Sequence, residues 1–212
     1  AFSPNGTRLA SSLLNKTIQI WSSTTGKIEQ TLTGSTGPIS TIKFSPNSQM
    51  LAAGSRDNNI YLWNLRTGKR LFKLKSHTSV ISSIEFNPNN TILASGSWDR
   101  NICLWNTTTG KRLHMLTGHA DTIISLAFIP EGTKFASGSK DNTVRIWHSE
   151  SGDLLHVLTG HTQPVTSVIF SPDGTRLVSG SEDTIYLWNH YTGERTNALR
   201  GHAGSIYSIL FS

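Results

Sequence analysis

Tryptophan recurs in this sequence at a nearly constant interval. Five of its six tryptophans follow one another at separations of 42, 42, 42 and 41 residues, at positions Trp21, Trp63, Trp105, Trp147 and Trp188. A dipeptide series keeps the same separations, at Gly34-Ser35, Ser76-His77, Gly118-His119, Gly160-His161 and Gly201-His202. Two series that share one period indicate that a single supersecondary unit has been copied five times.

Each copy is predicted to form a four-stranded β-sheet. Between His77 and Gly118, four short apolar or alternating segments are separated by turn residues, at 80–86, 92–97, 102–105 and 112–116. A glycine five residues after each tryptophan of the series should adopt a positive φ in a hairpin turn, at Gly26, Gly68, Gly110, Gly152 and Gly193. Both faces of such a sheet would be apolar, so the copies should stack around an axis as an all-β propeller.

Polar residues recur beside the last three tryptophans of the full repeats. The three sets are His77, Ser95, Asp99, Trp105; His119, Ser137, Asp141, Trp147; and His161, Ser179, Asp183, Trp188. A Ser-His-Asp trio also occurs in hydrolases, but catalysis needs one site with one oxyanion hole, and three copies have no catalytic rationale. Because Trp has one N–H donor and the other residues can pass a hydrogen bond onward, we expect structural polar networks.

These motifs together resemble the WD40-repeat (WD repeat) β-propeller family. The matching features are Gly-His, the Ser-x-Asp-x5-Trp spacing and Phe-Ser-Pro-Asp-Gly at 170–174, and the resemblance covers essentially the whole chain. It implies one propeller domain over residues 1–212, without catalytic residues or cofactors. It further implies a scaffold that binds proteins or peptides through one narrow face, which we call the top face.

Three repeats depart from the pattern. The second has Ser35 and Ala53 at the His and Ser positions, so we expect it to lack the network. The first has Asn15 at the Asp position. The fifth has one residue fewer between Asp183 and Trp188, which predicts a tighter turn.

Two arrangements of the repeats remain open. Residues 205–211 are predicted to form the first strand of a further sheet. In a closed five-bladed ring this strand would pair beside residues 8–10, and His202 would join Ser11, Asn15 and Trp21. Alternatively the chain is part of a seven-bladed propeller. Its start without Met, inside a repeat, favours a section of a larger multidomain protein.

The resemblance assigns three top-face positions to each repeat. In this sequence they are Leu14; Pro38, Ser40 and Arg56; Val80, Ser82 and Trp98; Thr122, Ile124 and Lys140; Pro164, Thr166 and Glu182; and Ser205 and Tyr207. Trp98 is the one tryptophan outside the regular series, and Trp is enriched at binding hot spots. Since Arg56 and Lys140 hold the same position in the flanking repeats, an acidic or phosphorylated peptide is the expected partner.

Charge suggests a second class of partner. Residues 1–84 contain ten Lys and Arg against two Asp and Glu, a net of +8, while residues 85–212 have nine against eleven, a net of −2. The basic stretch at 66–75 could attract nucleic acid, although cations also protect exposed edge strands from pairing. A nucleic-acid-binding propeller is therefore the alternative function, and a Ser-His-Asp hydrolase ranks below it.

The remaining candidate groups predict no metal site and no membrane association. His114, His148, His156 and His190 lie outside the dipeptide series and match no metal-ligand spacing. Cys103 is the only cysteine, which excludes an internal disulfide and favours a reducing compartment. Without an apolar run of membrane-spanning length or a signal peptide, the sequence predicts an intracellular, cytoplasmic protein, with the nucleus as the alternative location.

Overall fold

The structure is a computed structural model that describes residues 1–201 and 204–211. Its regular secondary structure, in the part described, consists of β-strands throughout. The nineteen strands are β1 (Arg8–Ser12), β2 (Ile18–Ser22), β3 (Ile28–Leu32), β4 (Ile39–Phe44), β5 (Met50–Ser55), β6 (Asn59–Asn64), β7 (Arg70–Lys75), β8 (Ile81–Phe86), β9 (Ile92–Ser97), β10 (Ile102–Asn106), β11 (Arg112–Leu116), β12 (Ile123–Phe128), β13 (Lys134–Ser139), β14 (Val144–His148), β15 (Leu154–Leu158), β16 (Ser167–Phe170), β17 (Leu177–Gly180), β18 (Thr184–Trp188) and β19 (Arg195–Arg200).

The strands form five antiparallel sheets in which chain neighbours are also spatial neighbours. Sheet one contains β1-β2-β3, and the four-stranded sheets two to five contain β4-β5-β6-β7, β8-β9-β10-β11, β12-β13-β14-β15 and β16-β17-β18-β19. Short turns suffice to connect antiparallel neighbours. The predicted turn glycines have φ values between 65° and 77°, which confirms their role.

The described residues divide into two compact units. Unit one comprises residues 1–95 and 103–113, and unit two comprises residues 96–102 and 114–211. Sheets one and two lie in unit one, sheets four and five lie in unit two, and sheet three contributes segments to both. The single domain over 1–212 stays a prediction.

The core of unit one lies between successive sheets. One cluster joins sheets one and two through residues that include Ile20, Phe44 and Trp63. A second cluster continues from sheet two through Leu62 to Trp105. Both faces of sheet two are therefore buried, as the apolar pattern of its strands predicts.

The core of unit two repeats this arrangement between sheets four and five. Val144 and Ile146 of β14 pack in one cluster with Phe170, Tyr186 and Trp188. Of the regular tryptophans, the last four are at most 3% exposed, and Trp21 is partly buried. The series therefore marks core positions, as expected.

The predicted strand over residues 205–211 is wrong. None of residues 204–211 is part of a strand or bridge. The segment instead packs through the side chains of Ile206 and Ile209, which fill the space beside Gly180. In addition, Ile206 N donates to Ser181 O at 3.0 Å, an ordinary hydrogen-bond distance. A strand needs a row of backbone hydrogen bonds to a neighbour, and among the described residues the single bond from Ile206 N does not make such a row. His202 lies outside the described residues.

The N-terminal residues form a short pairing of their own. Phe2 makes a single antiparallel bridge with Leu9, and Ala10 N donates to Ala1 O at 2.8 Å. These residues therefore occupy part of the free edge of β1.

Within residues 1–201 and 204–211, no helix is long and apolar enough to cross a membrane.

Candidate functional site

The polar network of sheet four is continuous from the indole to the carboxylate. Trp147 Nε1 donates to Ser137 Oγ at 2.8 Å, and Ser137 Oγ lies 2.8 Å from His119 Nε2. His119 Nδ1 in turn lies 2.7 Å from Asp141 Oδ2. A neutral imidazole with hydrogen on Nδ1 satisfies every contact, because Ser137 then donates to Nε2 and His119 donates to Asp141.

Electrostatics in this network favour a neutral histidine and an ionised aspartate. Burial lowers the pKa of His119, and its hydrogen bond with Asp141 opposes this only in part. Burial raises the pKa of Asp141, but hydrogen bonds from Thr143, His119 and the Ala120 amide outweigh this and hold it at about 2.

Sheet three contains a similar indole contact. Trp105 Nε1 donates to Ser95 Oγ at 2.9 Å, and His77 Nε2 lies 2.9 Å from the same oxygen. In unit two, Asp99 Oδ1 accepts from Asn101 N at 2.9 Å in the turn after β9.

The network of sheet five ends at its histidine. Trp188 Nε1 donates to Ser179 Oγ at 2.8 Å, and His161 Nε2 lies 2.7 Å from that oxygen. Asp183 is exposed, accepts from Thr184 Oγ1 at 2.9 Å, and makes no hydrogen bond with His161 in the described structure. The missing residue in this repeat shortens the turn, so the carboxylate does not reach the ring.

His161 packs against Tyr186 instead of hydrogen-bonding to Asp183. The His161 ring stacks on the Tyr186 ring with centroids 4.2 Å apart, and the Arg195 guanidinium lies over the same Tyr186 ring, 4.6 Å from its centroid. Burial, with a smaller contribution from the Arg195 charge, lowers the pKa of His161 to about 4. This histidine is therefore neutral at physiological pH.

The second repeat lacks the Ser-His pair of the common network and forms a different polar network instead. Tyr61 Oη donates to Asp57 Oδ2 at 2.7 Å, and Thr36 hydrogen-bonds to the same oxygen through both its amide and its hydroxyl. Trp63 Nε1 donates to Thr33 O at 3.2 Å, because Ala53 offers no hydroxyl. Burial raises the pKa of Asp57, but these hydrogen bonds lower it well below its usual range.

The serines of these networks are unsuited to nucleophilic attack. Ser95, Ser137 and Ser179 are each 0% exposed, and each oxygen already contacts an indole and an imidazole nitrogen. A nucleophilic serine must reach a substrate carbonyl beside an oxyanion hole. The arrangement of these serines therefore supports a structural role in packing the strands, not a role as nucleophiles.

In unit two the predicted top-face positions differ in exposure. Trp98 is 54% exposed in the turn between β9 and β10, and Lys140 and Glu182 are exposed in the equivalent turns of sheets four and five. Lys140 N donates to Thr122 O at 2.9 Å, which places the buried Thr122 beneath that turn. The other predicted residues of this unit are the half-buried Ile124, Pro164 and Thr166 and the exposed Ser205 and Tyr207.

In unit one the turn positions are again the most exposed. Leu14 is 98% exposed and Arg56 is exposed in the turn between β5 and β6. The remaining predicted residues are the exposed Pro38 and Ser40 and the half-buried Val80 and Ser82.

Two hydroxyls at predicted contact positions are used within their own unit. Ser40 Oγ donates to Gly54 O at 3.0 Å and also contacts Ile81 O of the next sheet. Thr166 Oγ1 makes the equivalent pair of contacts with Gly180 O, at 3.2 Å, and with Ile206 O. These side chains tie successive repeats together, a role that sequence reasoning missed. The signal was the hydroxyl shared by Ser40, Ser82 and Thr166 at one repeat position.

The basic stretch of unit one is partly engaged with the protein. Arg70 donates to Gly34 O at 2.8 Å, and the cationic groups of Arg70 and Lys73 lie 5.8 and 5.4 Å from the Tyr61 ring centroid. Such contacts are attractive because the ring face is electronegative.

No group of His, Cys, Asp and Glu residues in the described ranges could hold a metal ion.

Comparison with known proteins identifies the repeat. The family model "WD domain, G-beta repeat" matches residues 1–22, 26–64, 68–106, 110–148 and 152–189. No curated protein matches the sequence significantly. Each match after the first spans the last strand of one sheet and the first three strands of the next. Together the matches cover most of the chain, so the sheets are WD40-type propeller blades and the protein belongs to the WD40-repeat family.

Proposed function

We propose that this protein is a non-catalytic scaffold that binds proteins or peptides through its top face. WD40 repeats generally serve in protein interactions, and the fold is generally non-catalytic. The observation that carries the proposal is Trp98, whose indole is 54% exposed in a turn while the last four tryptophans of the regular series are buried. An exposed Trp is a candidate binding residue because Trp is enriched at binding hot spots.

The charge around this face supports an acidic or phosphorylated peptide. Lys140 holds in sheet four the turn position that Trp98 holds in sheet three, and its side chain is exposed. A Lys ammonium provides three donors to a carboxylate or phosphate. Glu182 at the same position in sheet five restricts the acidic contacts of the peptide to the Trp98 and Lys140 positions of unit two.

The test is a binding screen with arrayed acidic, phosphorylated and neutral peptides. For peptides retained by the wild type, Trp98→Ala should weaken binding by at least about tenfold, the effect of a hot-spot residue. Tyr191→Ala is the matched control. Tyr191 is an exposed aromatic residue that follows β18, whereas the top-face residue Glu182 precedes that strand. Binding that survives the triple change of Trp98, Arg56 and Lys140 to Ala would contradict the assignment of this face.

The nucleic-acid alternative predicts a different salt response. A protein that neutralises several phosphates loses affinity steeply with salt, whereas peptide capture around an aromatic side chain is less sensitive. Affinity for single-stranded DNA that is weak and independent of salt would remove this alternative. We propose an intracellular, cytoplasmic location, with the nucleus as the alternative, which localisation of a tagged chain would test.

A further inference from the structure

Unit one contains a polar cleft away from the proposed peptide-binding face. Its volume is about 280 Å³, and its walls are formed by Arg8, Ser48, Gln49, Asn64, Leu65 and Arg66. These residues lie at the start of β1 and β5 and at the end of β6. Arg56 lies beyond the opposite end of β5, so the cleft and the top-face position of this repeat are at opposite strand ends.

The acceptors in the cleft wall are largely occupied by the protein itself. Asn64 Oδ1 accepts from the amides of Arg66 and Thr67, at 2.9 and 3.1 Å. Leu65 O accepts from Gln30 Nε2 at 2.8 Å, and Gln49 O accepts from Leu65 N at 2.9 Å. Ser48 Oγ accepts a longer bond from Asn5 N.

The donors in the same wall remain available. The Arg66 side chain makes no hydrogen bond or ion pair within the described residues, so its guanidinium keeps five N–H donors. Since Asn64 Oδ1 is held by backbone amides, its NH₂ group faces away from them. Arg8 donates through Nε to Glu29 at 2.8 Å, which leaves its two terminal nitrogens. An excess of donors over free acceptors selects an anion.

The charge balance leads to the same ligand class. Glu29 offsets Arg8, and Arg66 is the uncompensated cation of the cleft, in a segment whose net charge over residues 1–84 is +8. The basic stretch that the sequence singles out is thereby divided, because Arg70 and Lys73 are held at Tyr61 while Arg66 faces the cleft. The planar guanidinium matches phosphate oxygens in a bidentate geometry.

We propose that this cleft binds the phosphate group of a small phosphate monoester, with Arg66 as the principal contact. Arg8 and the Asn64 amide supply further donors, and Leu65 also lines the cleft. The volume of about 280 Å³ accepts a phosphate and a few more heavy atoms, and lies just below the usual range for ligand pockets.

The test is titration of the full chain with inorganic phosphate and with glycerol phosphate. Calorimetry gives the affinity, and backbone amide NMR shifts of residues 64–66 locate the site. Arg66→Gln should weaken binding by about tenfold or more, and Arg66→Lys should lose part of the affinity because Lys lacks the fork. Lys69→Gln removes the same charge three residues away, outside the cleft wall, and should change the affinity less than about twofold.

Three results would overturn the proposal. One is the absence of binding by either phosphate probe up to about 10 mM, a concentration at which even millimolar ligands register. Another is an equal loss of affinity in Arg66→Gln and Lys69→Gln, which indicates diffuse attraction. The third is equally tight binding of acetate, which replaces the phosphate assignment by a general carboxylate site. Arg66 is exposed and unpaired within the described residues, so its replacement should leave folding intact.

Discussion

The Nδ1 atom of His119 lies 2.7 Å from the Oδ2 atom of Asp141 and links a turn to the core of its sheet. In the next repeat the equivalent Asp183 is exposed and makes no hydrogen bond with His161. The two repeats differ by one residue between the aspartate and the tryptophan. The same sequence motif therefore forms a complete network in sheet four and an interrupted one in sheet five.

This difference predicts unequal costs for the same substitution. Asp141→Ala removes the acceptor of a buried histidine and should lower the free energy of unfolding by roughly 1–3 kcal/mol. Asp183→Ala removes an exposed carboxylate and should change it by less than about 0.5 kcal/mol. Urea unfolding of both variants gives the comparison. Equal losses would show that the hydrogen bond to His119 contributes nothing to stability.

Acid sensitivity should follow from the neutral histidines. The pKa of His161 is about 4 in the folded chain and near 6.5 when unfolded, and burial also lowers the pKa values of His119 and His190. Between these pH values the unfolded chain binds protons that the folded chain does not, so the free energy of unfolding decreases as pH falls from about 6.5 to about 4. Above about 6.5 this contribution is fully present.

A single substitution isolates the share of His161. His161→Gln should flatten the pH dependence of the urea midpoint between about pH 4 and 6.5, whereas His148→Gln, at a half-buried residue of the same unit, serves as the control. Asp141 loses its charge only near its pKa of about 2, below this window. An unchanged slope in His161→Gln would contradict the assignment.

The sequence allowed prediction of the repeated features and missed those that occur once. The tryptophan series identified core positions, and the glycine series identified positive-φ turns, because each residue type has one physical role at every copy. The break at Asp183 depends on the path of a single shortened turn. The predicted strand at 205–211 failed because regular pairing requires a neighbouring strand that the segment itself does not supply.

Repeat two illustrates the same limit within the candidate site. The sequence shows that Ser35 and Ala53 interrupt the common network, but the replacement by Thr36, Asp57 and Tyr61 has no second copy in the chain. Only the spatial arrangement shows that a tyrosine on β6 reaches the aspartate of the preceding turn. Exposure at the top face was likewise beyond the sequence, which assigns Thr122 to this face although that residue is buried.

Tyr61→Phe should weaken the second repeat. The change removes the hydroxyl that donates to Asp57 and should lower the free energy of unfolding by about 1 kcal/mol, with the aromatic packing retained. Tyr207→Phe, at a residue that is 83% exposed, is the control and should be neutral. Combining Tyr61→Phe with Thr36→Val should give a smaller loss than the sum of the two, because the Tyr61 and Thr36 hydroxyls donate to the same Asp57 oxygen. Strict additivity would show that the two bonds are independent.

Gly54 marks a close approach of sheets two and three. A Cβ atom at this position would lie 2.4 Å from Ile81 Cγ2 and 2.8 Å from Thr41 Cγ2, well inside van der Waals contact. Gly54→Ala should therefore force the sheets apart locally and lower the free energy of unfolding by roughly 1–3 kcal/mol, the usual cost of overpacking. Gly204→Ala is the control, because nothing lies within 4 Å of its Cβ position.

A second substitution separates crowding from backbone effects. If contact with Ile81 causes the loss, Gly54→Ala should cost less in an Ile81→Val background, because removal of one methyl(ene) group relieves part of the overlap. Thermal unfolding of the two single variants and the double variant measures this coupling. An identical cost in both backgrounds would mean that Ala disturbs β5 itself, and the close approach of the two sheets would then not explain why this position is glycine.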